Sequence, residues 1–195
     1  TLSEALAKRD EAASADAVKV GRRDAPVNVL SPDDVAAASQ RITEPSPKQA
    51  EAGNYAKGHV KFNGLDISIE TPKGGTRRGY DEEGNPSWEV PDMPASYGYI
   101  KRSTGADGEQ IDVYIGDNPK SDRVYLVDQV DADTGKFDEH KAILGTDSLE
   151  EAGNLYSRGF SDGRGPDRIG DITEMSVSEF KDWVRSGPQD APYSD

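Results

Sequence analysis

The chain has 195 residues, which predicts one domain with an appendage, and its hydrophobic fraction of 33% is low enough that part of the length should lie outside the core. Its formal net charge of −14 argues against direct binding to nucleic acid or to anionic lipid, because such a surface repels both. The absence of cysteine excludes disulfides, thiolate metal sites and cysteine nucleophiles, and no apolar run is long enough to cross a membrane.

Residues 1–52 are predicted to form an extended arm or linker with one or two short helices. Small and charged residues dominate this region, and residues 43–47 form a stiff polar connector with two prolines. The pattern predicts one helix over residues 2–13 and a second after Ser31, which precedes Pro32 and two acidic residues. Neither helix has enough large apolar side chains to build a core, so we expect the region to dock on a partner or on the following domain.

From residue 58 onward, short alternating runs predict a β-rich domain. The predicted strands cover residues 59–63, 65–70, 88–90, 97–101, 110–115, 123–129 and 137–144. Asn63 and Gly64, between the first two, are a strong tight-turn signal. Two helices should follow, over residues 148–157 and 176–184, and the second opens with a capping box. Short strands at this spacing favour a small barrel or sandwich.

Three carboxylates, Asp107, Glu109 and Asp112, arrive at positions i, i+2 and i+5 on a loop that feeds a short apolar strand. Crowding three anions there costs Coulomb energy unless water or a cation offsets it. Hard oxygen ligands of this type suit Mg²⁺ or Mn²⁺ rather than zinc. The spacing therefore predicts an ion-binding loop, and the alternative is a solvated acidic loop, which is common in a protein this acidic.

Two further charged segments can be combined with this loop. Residues 73–78 contain two glycines and three cations, and form either a phosphate cradle or a solvated hairpin tip. Residues 131–141 surround a predicted hairpin turn at Gly135 and carry four carboxylates and Lys141. Together, a carboxylate cluster, a basic cradle and a nearby tyrosine are the parts that metal-assisted phosphoryl transfer requires.

Three motifs connect the sequence to a known family. In chain order they are Glu70-Thr71-Pro72-Lys73-Gly74, Met93-Pro94-Ala95-Ser96-Tyr97-Gly98-Tyr99-Ile100 and Asp107-Gly108-Glu109-Gln110-Ile111-Asp112-Val113. They resemble the Glu-Ile-Pro-Lys-Gly, Tyr-Pro-Ala-Asn-Tyr-Gly-Phe-Ile and Asp-Gly-Asp-Pro-x-Asp-Val motifs of family I soluble inorganic pyrophosphatases. Over roughly residues 50–186 the chain more closely resembles the pyrophosphatase-like domain of large polyvalent proteins of bacteriophages and mobile elements.

The resemblance implies a mainly β, α+β fold: a five-stranded β-barrel of the oligonucleotide-binding (OB) type, two flanking helices and an irregular N-terminal arm. The expected units are an arm at residues 1–52, a barrel domain at 53–187 and a tail at 188–195. We expect a soluble protein in the cytoplasm of a bacterial host or associated with a virion.

The resemblance also implies the residues of the site. The expected metal ligands are Asp107, Glu109, Asp112, Asp133 and Glu139, with Asp131 or Asp138 as alternatives to Asp133. The expected phosphate-binding residues are Lys73, Arg78, Tyr97 and Lys141. Asp112, Tyr97 and Glu70 are expected to take part in catalysis, in which Mg²⁺, or Mn²⁺, activates a water that attacks pyrophosphate.

Departures from the family pattern bear on activity. Glu109 stands where the family usually has Asp, and Tyr80 stands where the family has a second Glu. The late Tyr-Lys pair that grips phosphate has no clear counterpart, although Tyr156 and Arg158 lie in the corresponding region. These changes predict weaker substrate binding rather than loss of metal binding.

Three hypotheses follow. The first is Mg²⁺-dependent hydrolysis of inorganic pyrophosphate. The resembled family assembles into homo-oligomers, and the sequence leaves the oligomeric state of this chain open. The second is a structural or interaction module of a phage particle or ejected protein, which contacts virion proteins through the N-terminal arm. The third is hydrolysis of a nucleotide or another phosphoanhydride. Against the third stands the lack of an evident aromatic pocket for a base near the basic loop, since Trp88 and Trp183 are expected to be core or rim residues.

Overall fold

The computed structural model describes residues 25–194. The helix predicted over residues 2–13 and the last residue of the predicted tail lie outside the described residues. Within residues 25–194 no helix has the length and apolarity that crossing a bilayer requires.

The strands of the described region, in chain order, are β1 Val27–Asn28, β2 Gly58–Phe62, β3 Leu65–Thr71, β4 Arg77–Tyr80, β5 Pro86–Val90, β6 Ser96–Ile100, β7 Asp112–Ile115, β8 Arg123–Val130, β9 Phe137–Leu144 and β10 Ile169–Ser176. The helices are α1 Pro32–Ser39, α2 Pro47–Ala52, α3 Leu149–Arg158 and α4 Val177–Ser186, with a short 3-10 turn at Pro166–Arg168.

The strands form one eight-stranded mixed sheet and one separate hairpin. The sheet order is β1-β2-β3-β6-β7-β9-β8-β10, and β4 and β5 form the hairpin. The pairs β1–β2 and β7–β9 are parallel, and the other neighbouring strands of the sheet are antiparallel. The mainly β, α+β class predicted from the sequence is therefore confirmed.

The expected five-stranded barrel is not confirmed for the described part of the chain, because the sheet there has eight strands and no pairing joins its two edges, β1 and β10. β10 was missed because its apolar residues Ile169, Ile172 and Met175 are three apart, which is not the alternation of a strand. A register shift between Ile169 and Asp171 breaks that alternation. The edge strand β1 is too short to give a periodic signal.

Apolar side chains cover both faces of the sheet. Consecutive residues of a strand point to opposite faces, and Val113 belongs to one buried cluster while Tyr114 belongs to the other. One cluster includes Phe180 and Trp183 of α4, and the other includes Leu155 of α3. The two C-terminal helices therefore cover opposite faces.

The described part of the N-terminal region lies against the same sheet. β1 adds a parallel strand at the edge, and α1 buries Val35 and Ala38 in the cluster that also contains α4 residues. The Ser31 and Asp34 side chains form a capping box at the start of α1. The backbone N–H of Thr43 donates to the carbonyl of Ala56 at 3.1 Å. These contacts fix the path of the chain into α2.

Gly98 on β6 is required by a close approach between strands. A Cβ atom added at this position would lie 1.9 Å from the carbonyl oxygen of Ser68 on β3. We expect Gly98→Ala to lower the free energy of unfolding by about 2–3 kcal/mol, because the strands must separate to accept the methyl group. Urea denaturation measures this.

Gly153 in α3 provides the matched control. A Cβ there meets only Ile172 Cδ1 at 3.6 Å, an ordinary contact, so Gly153→Ala should stabilise the protein by about 0.5–1 kcal/mol. Equal stability changes in the two variants would contradict the steric argument.

Candidate functional site

A cleft of about 360 Å³ opens between the N-terminal segment and the β4–β5 hairpin. Glu70 at the end of β3, Arg77 of β4, Tyr97 of β6 and Asp112 of β7 contribute to its lining. These four residues are the floor of the cleft. Because they come from four strands, the fold rather than a local motif assembles the floor.

Tyr97, Asp112 and Lys141 form a closed hydrogen-bonded cluster at the floor. The Tyr97 hydroxyl donates to Asp112 Oδ2 at 2.5 Å, and Lys141 Nζ donates to the same oxygen at 2.7 Å. Lys141 Nζ also donates to the Tyr97 hydroxyl at 2.8 Å and lies 3.0 Å from Glu139 Oε1. The order β6-β7-β9 places the three strands that carry these residues side by side.

Burial and charge pairing set the protonation of this cluster. Burial alone would lower the pKa of Lys141, but its interactions with Tyr97, Asp112 and Glu139 hold that pKa well above the usual value, so the side chain stays cationic. Burial raises the pKa of Tyr97 well above the usual value. Tyr97 is therefore a neutral phenol whose hydroxyl group donates a hydrogen bond to Asp112.

Two further carboxylates near the cluster are half-buried. Burial raises the pKa of Glu70, and the nearby Asp112 adds to this, although the Tyr55 hydroxyl opposes it by donating to Glu70 Oε2 at 2.9 Å. Burial likewise raises the pKa of Glu139, although Lys141 opposes it. Both groups are costly to ionise in this setting.

Arg77 supplies the second cation of the floor. Its guanidinium carbon lies 4.1 Å from the ring centroid of Tyr97 and 4.8 Å from that of Trp88. Burial would lower the pKa of Arg77, but electrostatic interactions, including those with Asp112 and Glu70, raise it overall. Together with the neighbouring Lys141 and Glu139, the floor residues provide two cations and three carboxyl groups, so acidic groups outnumber basic ones.

The donor chemistry of the floor fits a hard divalent cation. Asp112, Glu70 and Glu139 offer only oxygen, which Mg²⁺ and Mn²⁺ prefer, and their negative excess is what such an ion would neutralise. Asp107 is close enough to contribute to the raised pKa of Glu139. In the part of the chain that the structure describes, no three carboxylates converge as a ready-made ligand group.

The structure brings together part of the predicted site. Of the predicted residues, the floor and its immediate neighbours contain Glu70, Tyr97, Asp112, Glu139 and Lys141.

A predicted phosphate-binding residue and a predicted metal ligand have partners outside the floor. Lys73 Nζ donates to Asp117 Oδ2 at 2.9 Å on an exposed surface. Asp133 is mostly exposed, and its Oδ1 lies 2.6 Å from Arg164 Nη1. In this structure neither side chain joins the floor, and their proposed roles stay predictions. Asp131, the alternative to Asp133, accepts the backbone N–H groups of Asp133 and Thr134.

Glu109 and Asp107 lie on an exposed turn before β7. The Asp107 carboxylate accepts the backbone N–H of Glu109 at 2.9 Å, and Gly108 between them has φ +83°. The exposed turn keeps Asp107 and Glu109 out of the lining of the cleft, and Asp112 is the member of the acidic triplet that belongs to the floor. The other predicted alternative, Asp138, accepts from Gln129 Nε2 at 3.0 Å.

Arg78 lines the cleft at its mouth rather than at the floor. Its guanidinium pairs with Glu44 and with Glu89, each at 3.0 Å. Its neighbour Arg77, which the sequence analysis did not single out, reaches the floor instead. Strand alternation indicates that only one of two adjacent arginines can face the floor, but it does not indicate which one.

Gln129 was also missed as a supporting residue, whereas Tyr156 was noted only for lying in the region of the family's late Tyr-Lys pair. The Tyr156 hydroxyl donates to Gln129 Oε1 at 2.6 Å, and Gln129 Nε2 lies 3.4 Å from Glu139 Oε1. Tyr156 is thus buried behind the floor, not in the cleft, and Arg158 lines a different groove together with Lys73. No local pattern in the sequence marks Gln129, because its role depends on the β8–β9 register.

Most of the chain matches one known protein family by sequence. The profile of the family described as Inorganic Pyrophosphatase matches residues 47–185. No curated protein matches the chain.

Three solved structures are similar to the chain. An inorganic pyrophosphatase from Coxiella burnetii is 16% identical, with 61% of this chain and 89% of that chain covered and a TM-score of 0.35. A protein described as an inorganic phosphatase from Anaplasma phagocytophilum is 15% identical, with 62% and 87% covered and a TM-score of 0.36. An inorganic pyrophosphatase from Neisseria gonorrhoeae is 14% identical, with 61% and 87% covered and a TM-score of 0.35.

The raised pKa of Glu70 gives a prediction about stability. Above its folded-state pKa the buried carboxylate is an incompletely compensated anion, so Glu70→Gln should raise the free energy of unfolding at pH 8 by about 1 kcal/mol. The amide oxygen still accepts from Tyr55. The gain should shrink as the pH falls toward 4, because the wild-type carboxyl is then protonated. Urea denaturation at pH 8, 6 and 4 measures this.

Glu82→Gln, at an exposed position between β4 and β5, is the control and should show no such gain. A Glu70→Gln variant that is less stable at pH 8, or whose gain is the same at pH 4, would contradict the charge argument.

Proposed function

Because the chain belongs to the inorganic pyrophosphatase family, we propose that it hydrolyses inorganic pyrophosphate to phosphate in a reaction that depends on Mg²⁺. The observation that carries this proposal is the closed Tyr97–Asp112–Lys141 cluster at the floor of a cleft, with Arg77 beside it. These residues place cations, a phenol donor and a carboxylate within one small volume. That combination suits binding and cleavage of a compact polyanion.

Asp112, Glu70 and Glu139 would supply oxygen ligands to the metal, with Asp107 of the adjacent turn as a further oxygen donor. Among the described residues these carboxylates do not already converge on one point, so binding of the ion would have to draw them together. Mg²⁺, or Mn²⁺ in its place, supplies charge compensation for the substrate and promotes the ionisation of water. The excess of carboxylates over cations at the floor supports this assignment.

The chain's own residues bind the substrate and move protons. Lys141 and Arg77 bind phosphoryl oxygens and take up the charge that develops on the leaving phosphate. Tyr97 holds Asp112 in place by its short hydrogen bond. The oxygen of a water attacks one phosphorus, the bond from that phosphorus to the bridging oxygen breaks, and Asp112 accepts the proton that the water loses.

A second candidate function is a catalytically weakened interaction module. The observation in its favour is that Lys73 is paired with Asp117, and Asp133 with Arg164, away from the floor. The link to phage particles depends on the sequence resemblance alone. Absence of both Mg²⁺ binding heat and pyrophosphate turnover, together with cross-linking to virion proteins, would favour this function over hydrolysis.

We expect the protein to release phosphate from pyrophosphate in the presence of Mg²⁺ and not after its removal by EDTA. Asp112→Asn should reduce kcat by about 10²–10³-fold, because the amide cannot accept the proton of the attacking water. Phosphate release followed by a colorimetric assay measures both effects. Turnover of the variant equal to that of the wild type would defeat the proposal.

The neighbouring arginines provide a matched pair. Arg77→Gln should lower kcat/KM for pyrophosphate about 100-fold, because the floor loses a cation that binds the phosphoryl group. Arg78→Gln should change it only a few-fold, because that guanidinium is engaged by Glu44 and Glu89 at the mouth. Steady-state kinetics of the two variants decides between these positions, and a larger effect at Arg78 would reverse the assignment.

A further inference from the structure

The cleft has an outer part that differs in chemistry from its floor. The floor is charged, but the outer lining contains the apolar side chains of Ile42, Pro45 and Ala50 and the rings of Tyr80 and Trp88. No aromatic pocket near the basic loop was evident from the sequence. The fold creates one, because the N-terminal segment and the hairpin meet over the floor.

The inner wall of this outer part comes from outside the family match. Ser39 and residues 42–45 line the cleft, whereas the family profile begins at residue 47. This segment is held in place by two hydrogen bonds between Thr43 and Ala56, of 3.1 Å each, and by the pair between Glu44 and Arg78. The cleft is therefore longer than the residues matched to the family would make it.

The aromatic side chains are available to a ligand. Trp88 is 43% exposed, in contrast to the buried Trp183. Its ring lies on Arg77, whose guanidinium carbon is 4.8 Å from the ring centroid. Tyr80 lines the same cleft from the same hairpin. A flat ring entering the cleft would lie beside these two aromatic side chains while its phosphates reach the cations of the floor.

We propose that the cleft takes a nucleoside diphosphate, an inference that rests on the proposed phosphoanhydride hydrolysis and extends its substrate class. The phosphoanhydride lies on the floor, and the base lies in the outer part against Tyr80 and Trp88. The volume of about 360 Å³ falls in the range of roughly 300–1,000 Å³ typical of clefts for organic ligands. A pyrophosphate ion alone would leave the apolar and aromatic outer part without a partner.

The reaction is a balanced hydrolysis. The oxygen of one water forms a bond to the terminal phosphorus, and the bond from that phosphorus to the bridging oxygen breaks. The products are a nucleoside monophosphate and phosphate, and the proton lost by the water passes to Asp112 and then to solvent. No oxidant, reductant or second substrate is required.

Calorimetry on the full chain with Mg²⁺ tests the proposal with two non-hydrolysable probes, methylenediphosphonate and α,β-methylene-ADP. Base stacking should make the nucleotide analogue bind roughly tenfold more tightly. Tyr80→Ala should remove most of that preference, because it truncates a ring of the outer part while the floor is untouched. Trp88→Ala should also reduce the preference, and it should weaken the binding of both probes because Arg77 of the floor lies on this ring. Leu149→Ala, at an exposed apolar position on α3, should preserve the preference.

Phosphate release is measured with ADP and with pyrophosphate, so that failure of the nucleotide inference can be distinguished from failure of the proposed function. Pyrophosphate turnover together with equal or weaker binding of the nucleotide analogue would overturn the nucleotide inference and leave the proposed function standing. A preference that survives in both Tyr80→Ala and Trp88→Ala would also overturn it. Failure of both probes to bind, with no pyrophosphate turnover, would overturn the proposed function and this inference with it.

Discussion

The buried ammonium group of Lys141 is the constraint on which the rest of the site depends. The residue is 4% exposed, and an unpaired ammonium at such a position would cost several kcal/mol of desolvation free energy. The fold meets this cost with two oxygen acceptors of the floor, on Tyr97 and Asp112, and with the Glu139 carboxylate. A cluster satisfied in this way is rigid, because movement of any member leaves a charge without its partner.

The architecture of the sheet follows from the need to bring these groups together. β7 lies between β6 and β9, so Asp112 is flanked by the strand of Tyr97 and the strand of Lys141. Alternation places their side chains on the face covered by α3, where the Tyr97, Tyr114 and Tyr156 rings make successive edge contacts. This apolar backing keeps water away from one side of the cluster and strengthens its electrostatic interactions.

Much of this arrangement was predictable from short-range patterns. The Asn63-Gly64 signal located the β2–β3 hairpin, and the capping box at Ser176 located the start of α4. The family motifs supplied the residues Glu70, Tyr97 and Asp112. Each of these predictions depends on spacing within a few residues, which a sequence states directly.

The features that could not be predicted from the sequence depend on contacts between segments that are distant along the chain. The choice between Arg77 and Arg78 depends on which face of the β4–β5 hairpin meets the floor. The position of the Lys73 side chain away from the floor depends on its ion pair with Asp117, which lies 44 residues away in sequence. The edge strands β1 and β10 depend on pairing partners rather than on their own patterns, so the sheet came out larger than the expected barrel.

The cleft is lined by the charged floor and by an N-terminal wall, residues 42–45, and these two parts differ in how they are held in place. The floor depends on buried charges that must stay paired, so its chemistry tolerates little substitution. The N-terminal wall is attached differently: its Glu44–Arg78 pair has a glutamate side chain that is 82% exposed, and solvent screens a pair of that kind. The position of the wall therefore depends on the burial of α1, the pairing of β1 and the two hydrogen bonds between Thr43 and Ala56. If the cleft takes a nucleotide as proposed, substitutions along residues 42–45 should alter which organic group fits while the charged floor stays the same.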